Sequence, residues 1–353
     1  MNTNRMYIDF HIIQTVPPSC VNRDDTGRPK TAVYGGAVRA RVSSQAWKHA
    51  MRDLFTEIFS EEQLGFRTKF AVGQIAKKLI ESGMQEEKAN KAAADAMVNA
   101  IPKIKIDEKK GNATGALFFI SAKQAEQLAK LILDGSKDKK AYKEALKQTP
   151  SVDIALFGRM VADDSTLNID AASQVAHSIS THAVQNEYDY FTAVDDCKIS
   201  DDAGAGHLGT MEFNSATLYR YATVNVTDLW NTVGDETAQA VRGFAEAMIR
   251  SMPTGKQNSY ANKTLPDLVY VTVRTDQPVN LCGAFEKPIN GNDGYAEKSK
   301  KALFDHAKRV YQDYCGTPEK SFVIGCDSDN ALGAAKMNLD ELLDAIAQAV
   351  TEG

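Results

Sequence analysis

With residues 60–150 set aside, the candidate elements of this chain read strand, helix, strand, strand, helix, strand. The strand patterns fall at 7–14, 174–184, 216–226 and 268–274, where apolar and β-branched residues run between turn signals. The helices are an amphipathic stretch that starts at Ser43 or Ser44, either of which can act as N-cap, and a second at 235–250. Between 60 and 150 the composition shifts toward Ala, Lys, Glu and Gln, with candidate helices near 86–100, 121–134 and 137–148. That stretch reads as a mostly helical insertion in a strand-rich unit.

Two strand–helix–strand halves in this order leave few topologies, because connections are short and crossovers have one hand. The expected class is α+β, with a ferredoxin-like (RRM-like) antiparallel sheet. A helix near 296–313, a strand at 321–326, and a C-terminal helix at 338–349 pack around it. The expected divisions are 1–59 and 151–353 for the sheet unit and 60–150 for the insertion. At 353 residues, a prior of about two domains is reasonable.

The charge distribution narrows the function. The chain carries a formal net charge of -5, yet 28–52, RPKTAVYGGAVRARVSSQAWKHAMR, holds six Lys/Arg and no Asp or Glu. A basic island on an acidic background suits one local polyanion surface and disfavours indiscriminate nucleic-acid binding. In the helix after Ser43, Trp47, Met51, Leu54 and Ile58 share an apolar face, so Trp47 is assigned to the core. Gln45, Lys48, His49 and Arg52 fall on the other face. The helix start adds unpaired N–H groups that suit phosphate. An ordinary solvated face remains the alternative.

A second segment, 187–213, EYDYFTAVDDCKISDDAGAGHLGTMEF, alternates as a strand, passes an acidic glycine-rich turn, and returns. A long hairpin with exposed aromatics is poor core material and is expected to project.

These blocks, together with IIQTVPPSCVNRDDTG, ISTHAVQNEYDYFTAVDD and GHLGTMEFNSATLYRY, resemble the CasC family, the backbone subunit of the type I-E CRISPR Cascade complex. The resemblance implies an RRM-like palm, helical fingers at 60–150, and a β-hairpin thumb at 187–213. Copies would polymerise head to tail along one CRISPR RNA, displacing a nucleotide at each thumb and presenting the rest for pairing with target DNA. The implied partners are that RNA, the target DNA, further copies of the chain, and the large, small, RNA 5'-end-capping and RNA-processing subunits. No catalytic residue, metal or cofactor is implied.

Carried over by position, Lys30, Arg41, Ser43, Gln45, Lys48 and Arg52 match the family's RNA-backbone contacts. Tyr190, Phe191 and Thr192 match the thumb wedge, and Met160 matches a palm residue that supports it. Lys256 and Gln257 are a weaker match to the RNA groove. Lys139, Lys140, Lys143 and Lys147 resemble a cluster that attracts duplex DNA, on a helix that Ser136 is placed to cap. Two positions depart from the family: 190 is Tyr where Trp is common, and 49 is His where a cation is common, which puts a phosphate contact there in doubt near neutral pH.

Other motifs weigh less. Gly204, Gly206 and Gly209 satisfy G-x-G-x-x-G, but a strand pattern follows in place of the helix that would receive a pyrophosphate. Thr254-Gly255-Lys256 is only a fragment of a phosphate loop. Asp24-Asp25 reads as a turn; a metal-dependent ribonuclease using this pair is the enzymatic alternative, and a standalone RNA chaperone is a third reading. His177 and His182 lie five apart on an expected strand and so face apart. Five widely spaced cysteines fit reduced thiols. No apolar run approaches the roughly 20 residues of a membrane span, and the N-terminus lacks a signal core, so the chain is expected to be cytoplasmic.

Overall fold

The computed structural model describes residues 5–193 and 207–353. Strand Tyr7–Ser19 lies at the centre of its main sheet. It pairs antiparallel with the long strand His207–Asn225 on one side and with Leu268–Arg274 on the other, so that Tyr7 faces both Asn225 and Arg274. Short strands Ser173–Val175 and Ser178–Ser180 pair with the far side of the long strand. Counting only the expected core strands, the spatial order is fourth, first, third, second, and every pairing is antiparallel.

Both edges are extended. The hairpin of Thr31–Tyr34 and Ala37–Val42 joins one edge through Arg41 opposite Ile179. Lys320–Ile324 joins the other and receives the short parallel strand Ala335–Lys336.

Alternation along the central strand divides the core. Ile8, Phe10 and Ile12 pack with Trp47, Met51 and Phe55 of helix Ser44–Ile58, with Phe244 and Met248 of helix Thr237–Arg250, and with helix Leu339–Glu352. Ile13 packs on the opposite face with Leu303 and Phe304 of helix Ala296–Val310. Burying side chains such as Met51 and Phe55 stabilises the fold by roughly 1.5–3 kcal/mol each.

Much of the inserted segment has its own core. Helices Ala71–Glu81, Glu86–Ala100, Ala122–Leu133 and Lys139–Lys147 bury Ile75, Leu79, Met97, Leu128 and Leu146 together. The strands Gly65–Thr68 and Phe118–Ser121 pair antiparallel, and Phe118 and Ile120 pack into the same cluster. The first helix of the bundle is additional to those expected; no side chain caps its N-terminus, so a main sequence signal for its start is missing.

Three expectations need correction. The first strand, expected over 7–14 with Pro17-Pro18 as its stop, runs on to Ser19. Its register with the long strand shifts between Val16 and Ser19, which excuses the prolines' missing N–H groups. The strand expected at 174–184 is broken: from Val175 to Ile179 it advances four residues while its partner advances three, from Ala222 to Tyr219, so a bulge falls at Ala176–His177. Helix Lys139–Lys147 is capped by Asp138, which accepts from the Lys140 N–H at 2.8 Å, and not by Ser136. Among the described residues no helix is long and apolar enough to cross a membrane.

Candidate nucleic-acid interface

Helix Ser44–Ile58 organises the site. Ser43 is its N-cap, accepting from the Ala46 N–H at 3.3 Å, and the Ser43 N–H donates to Asn22 Oδ1 at 2.9 Å. Ser43 is buried in this role, so it fixes the helix to the 20–30 loop. Gln45, Lys48 and Arg52 then project into a groove of about 750 Å³. More of the wall is supplied by Arg67 and Phe119 from the insertion, by Phe157, Arg159 and Met160 just after it, and by 168–171, which brings Asp170 to the groove. His49 sits on the ridge to a second groove of about 480 Å³ that is lined by 21–25 and Thr254-Gly255. Its Nδ1 lies 3.1 Å from Asp53.

The six cations of the basic island sort into two groups. Arg28 pairs with Glu212 at 2.8 Å. Arg39 is buried and donates to the carbonyls of Ser180, Phe285 and Glu286. Arg52 donates to Asp153 Oδ2 from two nitrogens at 3.3 Å and lies over the Phe119 ring at 4.6 Å. Lys30, Arg41 and Lys48 form no ion pair among the described residues.

Lys30 and Arg41 line a small pocket, and Lys48 lines the large groove. The Arg41 N–H donates to the Lys30 carbonyl at 2.9 Å, joining the two residues. Arg41 also donates to His177 Nδ1 at 3.1 Å, since a guanidinium can only donate. Burial, together with the charges of Arg41 and Lys30, holds the His177 pKa below its ordinary value. Lys48 is half-buried, with its ammonium 5.7 Å from the Phe157 ring centre, and burial lowers its pKa. A phosphate oxygen in the groove would offset that desolvation.

Asp153 marks the junction of insertion and sheet. Its Oδ1 accepts from the Ser151 hydroxyl at 2.6 Å, the Gly65 N–H at 3.0 Å and the Ile154 N–H at 3.1 Å. Burial raises its pKa, while Ser151, Arg52 and Gly65 pull it back. Arg159, next to Met160, is saturated by carbonyls of Phe119, Leu146 and Leu167 and by the Gln124 side chain. Neither residue was selected from sequence. An acid and a base in an apolar stretch carry no local signal of what the chain brings to them.

The hairpin pairs Glu187–Ala193 with His207–Phe213 of the long strand. Tyr190 is 64% exposed, Met160 in the groove is 83% exposed, and Thr192 is exposed. Phe191 lies opposite Gly209, where an added Cβ would come within 2.3 Å of the ring tip. The hairpin base is tied down by Asn186 donating to Glu212 at 3.0 Å and by Phe213 against Tyr260 at 6.0 Å. The acidic turn with Asp195, Asp196, Asp201 and Asp202, together with Cys197, Gly204 and Gly206, lies outside the described residues.

The remaining candidates are spread out. Lys139, Lys140 and Lys147 are exposed, whereas Lys143 pairs with Asp164 at 2.6 Å. That contact helps draw the Asp164 pKa down to about 2. Lys256, in a left-handed conformation, and Gln257 begin a short helix, and Gly255 before them presses on the carbonyl of Val21. Asp24 Oδ1 accepts from the Thr26 N–H and hydroxyl and from the Arg28 N–H, as a turn former does. His182 stacks on Tyr295 and accepts from the Thr217 N–H, well away in role from His177. Cys20, Cys282, Cys315 and Cys326 are free thiols. Among the described residues no three His, Cys, Asp or Glu gather to hold a metal ion.

The fold and groove define an α+β protein whose central, mostly antiparallel sheet carries a helical insertion and an aromatic hairpin. The chain belongs to the CT1975-like protein family, which it matches over residues 8–351. The resemblance to the Cascade backbone subunit is thereby borne out. A solved chain titled "CRISPR RNA-guided surveillance complex, pre-nicking" is 34% identical, with a TM-score of 0.83 over 98% of this chain and 100% of that one. Another, titled "CRISPR RNA-guided surveillance complex", is 30% identical, with a TM-score of 0.65 over 97% and 99%. No curated protein matches.

Proposed function

We propose that this chain is the RNA-binding backbone subunit of a type I-E Cascade surveillance complex. It is a cytoplasmic, non-enzymatic protein that polymerises head to tail on a CRISPR RNA and presents that RNA to target DNA. The observation that carries the reading is that Lys30, Arg41 and Lys48 form no ion pair among the described residues, while Met160 is exposed in the groove that Lys48 lines and Tyr190 is exposed on the hairpin. Phosphates lie along the cations. The hairpin aromatics wedge where a base is unstacked, each contact contributing roughly 1–3 kcal/mol.

The same reading assigns the parts of the molecule. The sheet is an RRM-like palm, supported by the fourth-first-third-second strand order. The segment 60–150 forms the fingers, supported by its own apolar core, and 187–213 is the thumb. Exposed Lys139, Lys140 and Lys147 face duplex DNA, and the remaining Cascade subunits cap and flank the filament.

Co-expression with CRISPR RNAs of increasing length tests this. Particle mass should rise in whole-subunit steps with the RNA intact. A constant monomer would refute the templated filament, and magnesium-dependent RNA fragments abolished by Asp25→Ala would establish the ribonuclease instead.

A further inference from the structure

We infer that Asp153 is the pin that sets the helical insertion against the groove, and that Arg52 is held by it as a positioning residue instead of being spent on RNA. For its RNA readout the inference rests on the function proposed above; its structural readout does not.

The pin joins the 151–154 segment to two parts of the chain about 90 to 100 residues earlier. Gly65 opens the insertion, Ser151 and Ile154 follow its close, and Arg52 belongs to the groove helix. A single buried carboxylate accepts from all four. Arg52 adds a bond to the Gly65 carbonyl at 3.4 Å and covers Phe119, which is paired with Arg67 on the adjacent strand. The close approach is built in, because a Cβ at position 65 would lie 2.7 Å from the Ser151 hydroxyl. A phosphate that drew Arg52 away would leave Asp153 buried without its cation, an arrangement far costlier than an exposed charge. Lys48, on the same face of the helix, has no such competitor.

The test uses the full chain with a single-stranded RNA oligonucleotide, comparing wild type with Lys48→Gln, Arg52→Gln and Asp153→Asn. Each phosphate-binding cation contributes about 0.7 to the slope of log affinity against log salt. Lys48→Gln should flatten the slope by that amount, Arg52→Gln should leave it at the wild-type value, and Asp153→Asn, by freeing the guanidinium, should steepen it by about 0.7. Amide exchange at Gly65–Thr68 should be several-fold faster in Arg52→Gln, with unchanged exchange in Lys48→Gln.

A slope loss at Arg52→Gln equal to that at Lys48→Gln, or an unaltered slope in Asp153→Asn, overturns the assignment of Arg52. If wild type shows no salt-dependent RNA binding, the RNA reading fails, and exchange alone decides: faster exchange at Gly65–Thr68 supports the pin and unchanged exchange overturns it.

Discussion

Asp9 and His11 sit side by side on the face of the sheet away from the groove, and burial moves them in opposite senses. Asp9 accepts from the Tyr221 hydroxyl at 3.0 Å and the Val279 N–H at 2.8 Å, yet burial still raises its pKa from 3.8 to about 6. Burial and Arg274 lower that of His11 from 6.5 to about 3. Folded Asp9 holds its proton more tightly than the unfolded chain does, so its contribution to stability is lost as pH rises from 4 to 6. Folded His11 holds its proton less tightly, so its contribution is lost as pH falls through the same window. Wild type should therefore show little net slope from this pair between pH 6 and 4. Asp9→Asn removes one side, worth roughly 3 kcal/mol for a carboxyl carried from 3.8 to about 6, and should make urea stability fall with acidification by about that much more than in wild type. Equal acid profiles for the two proteins would refute the compensation. At this scale the sequence was only partly readable. Trp47 was assignable to the core from helical spacing, and it is buried with its indole N–H on Ser178. Arg39 counts toward the basic island in sequence, and nothing local shows that it is buried, because its acceptors at 285 and 286 lie almost 250 positions away.

Among the elements, those with strong periodicity and clear stops were legible. Glu86–Ala100 and Leu268–Arg274 occupy the expected spans, and Ser43 caps the groove helix. The misplaced boundaries lie at the bulges, where an extra residue is set by the partner strand's register and not by local pattern. The hairpin was legible as a hairpin, but the seat of Phe191 on Gly209 was not, since it depends on cross-strand register. That seat gives an element-scale prediction. In Gly209→Ala the new methyl displaces only the end of a movable ring, so thermal stability should stay near wild type. The ring is pushed off its seat, however, and RNA-dependent oligomers should weaken toward the level of Phe191→Ala. Oligomers of Gly209→Ala as stable as wild type, measured by mass at graded protein concentration, would remove the seat from the thumb's function.

For the whole molecule, what matters is how few charges are left for RNA. The chain is acidic overall, at -5, and half of its basic island is spent on Glu212, on backbone carbonyls and on Asp153. Four phosphates per copy, one each for Lys30, Arg41, Lys48 and Arg52, would give a salt slope of about -3 per bound subunit. Lys30, Arg41 and Lys48 alone give about -2, at roughly 0.7 each for single-stranded RNA. On the proposed function, a weak grip per copy suits a templated filament, in which one copy alone would bind poorly and affinity would accumulate only as neighbours are added on the same strand. The slope should then scale with the number of copies that an RNA seats while staying near about -2 per copy. Titrations on RNAs that seat one, two and three subunits, each at several salt concentrations, measure it. A per-copy slope near -3 would restore a fourth cation to the groove, and one that falls toward zero as copies are added would mean that protein contacts, not phosphates, hold the filament together.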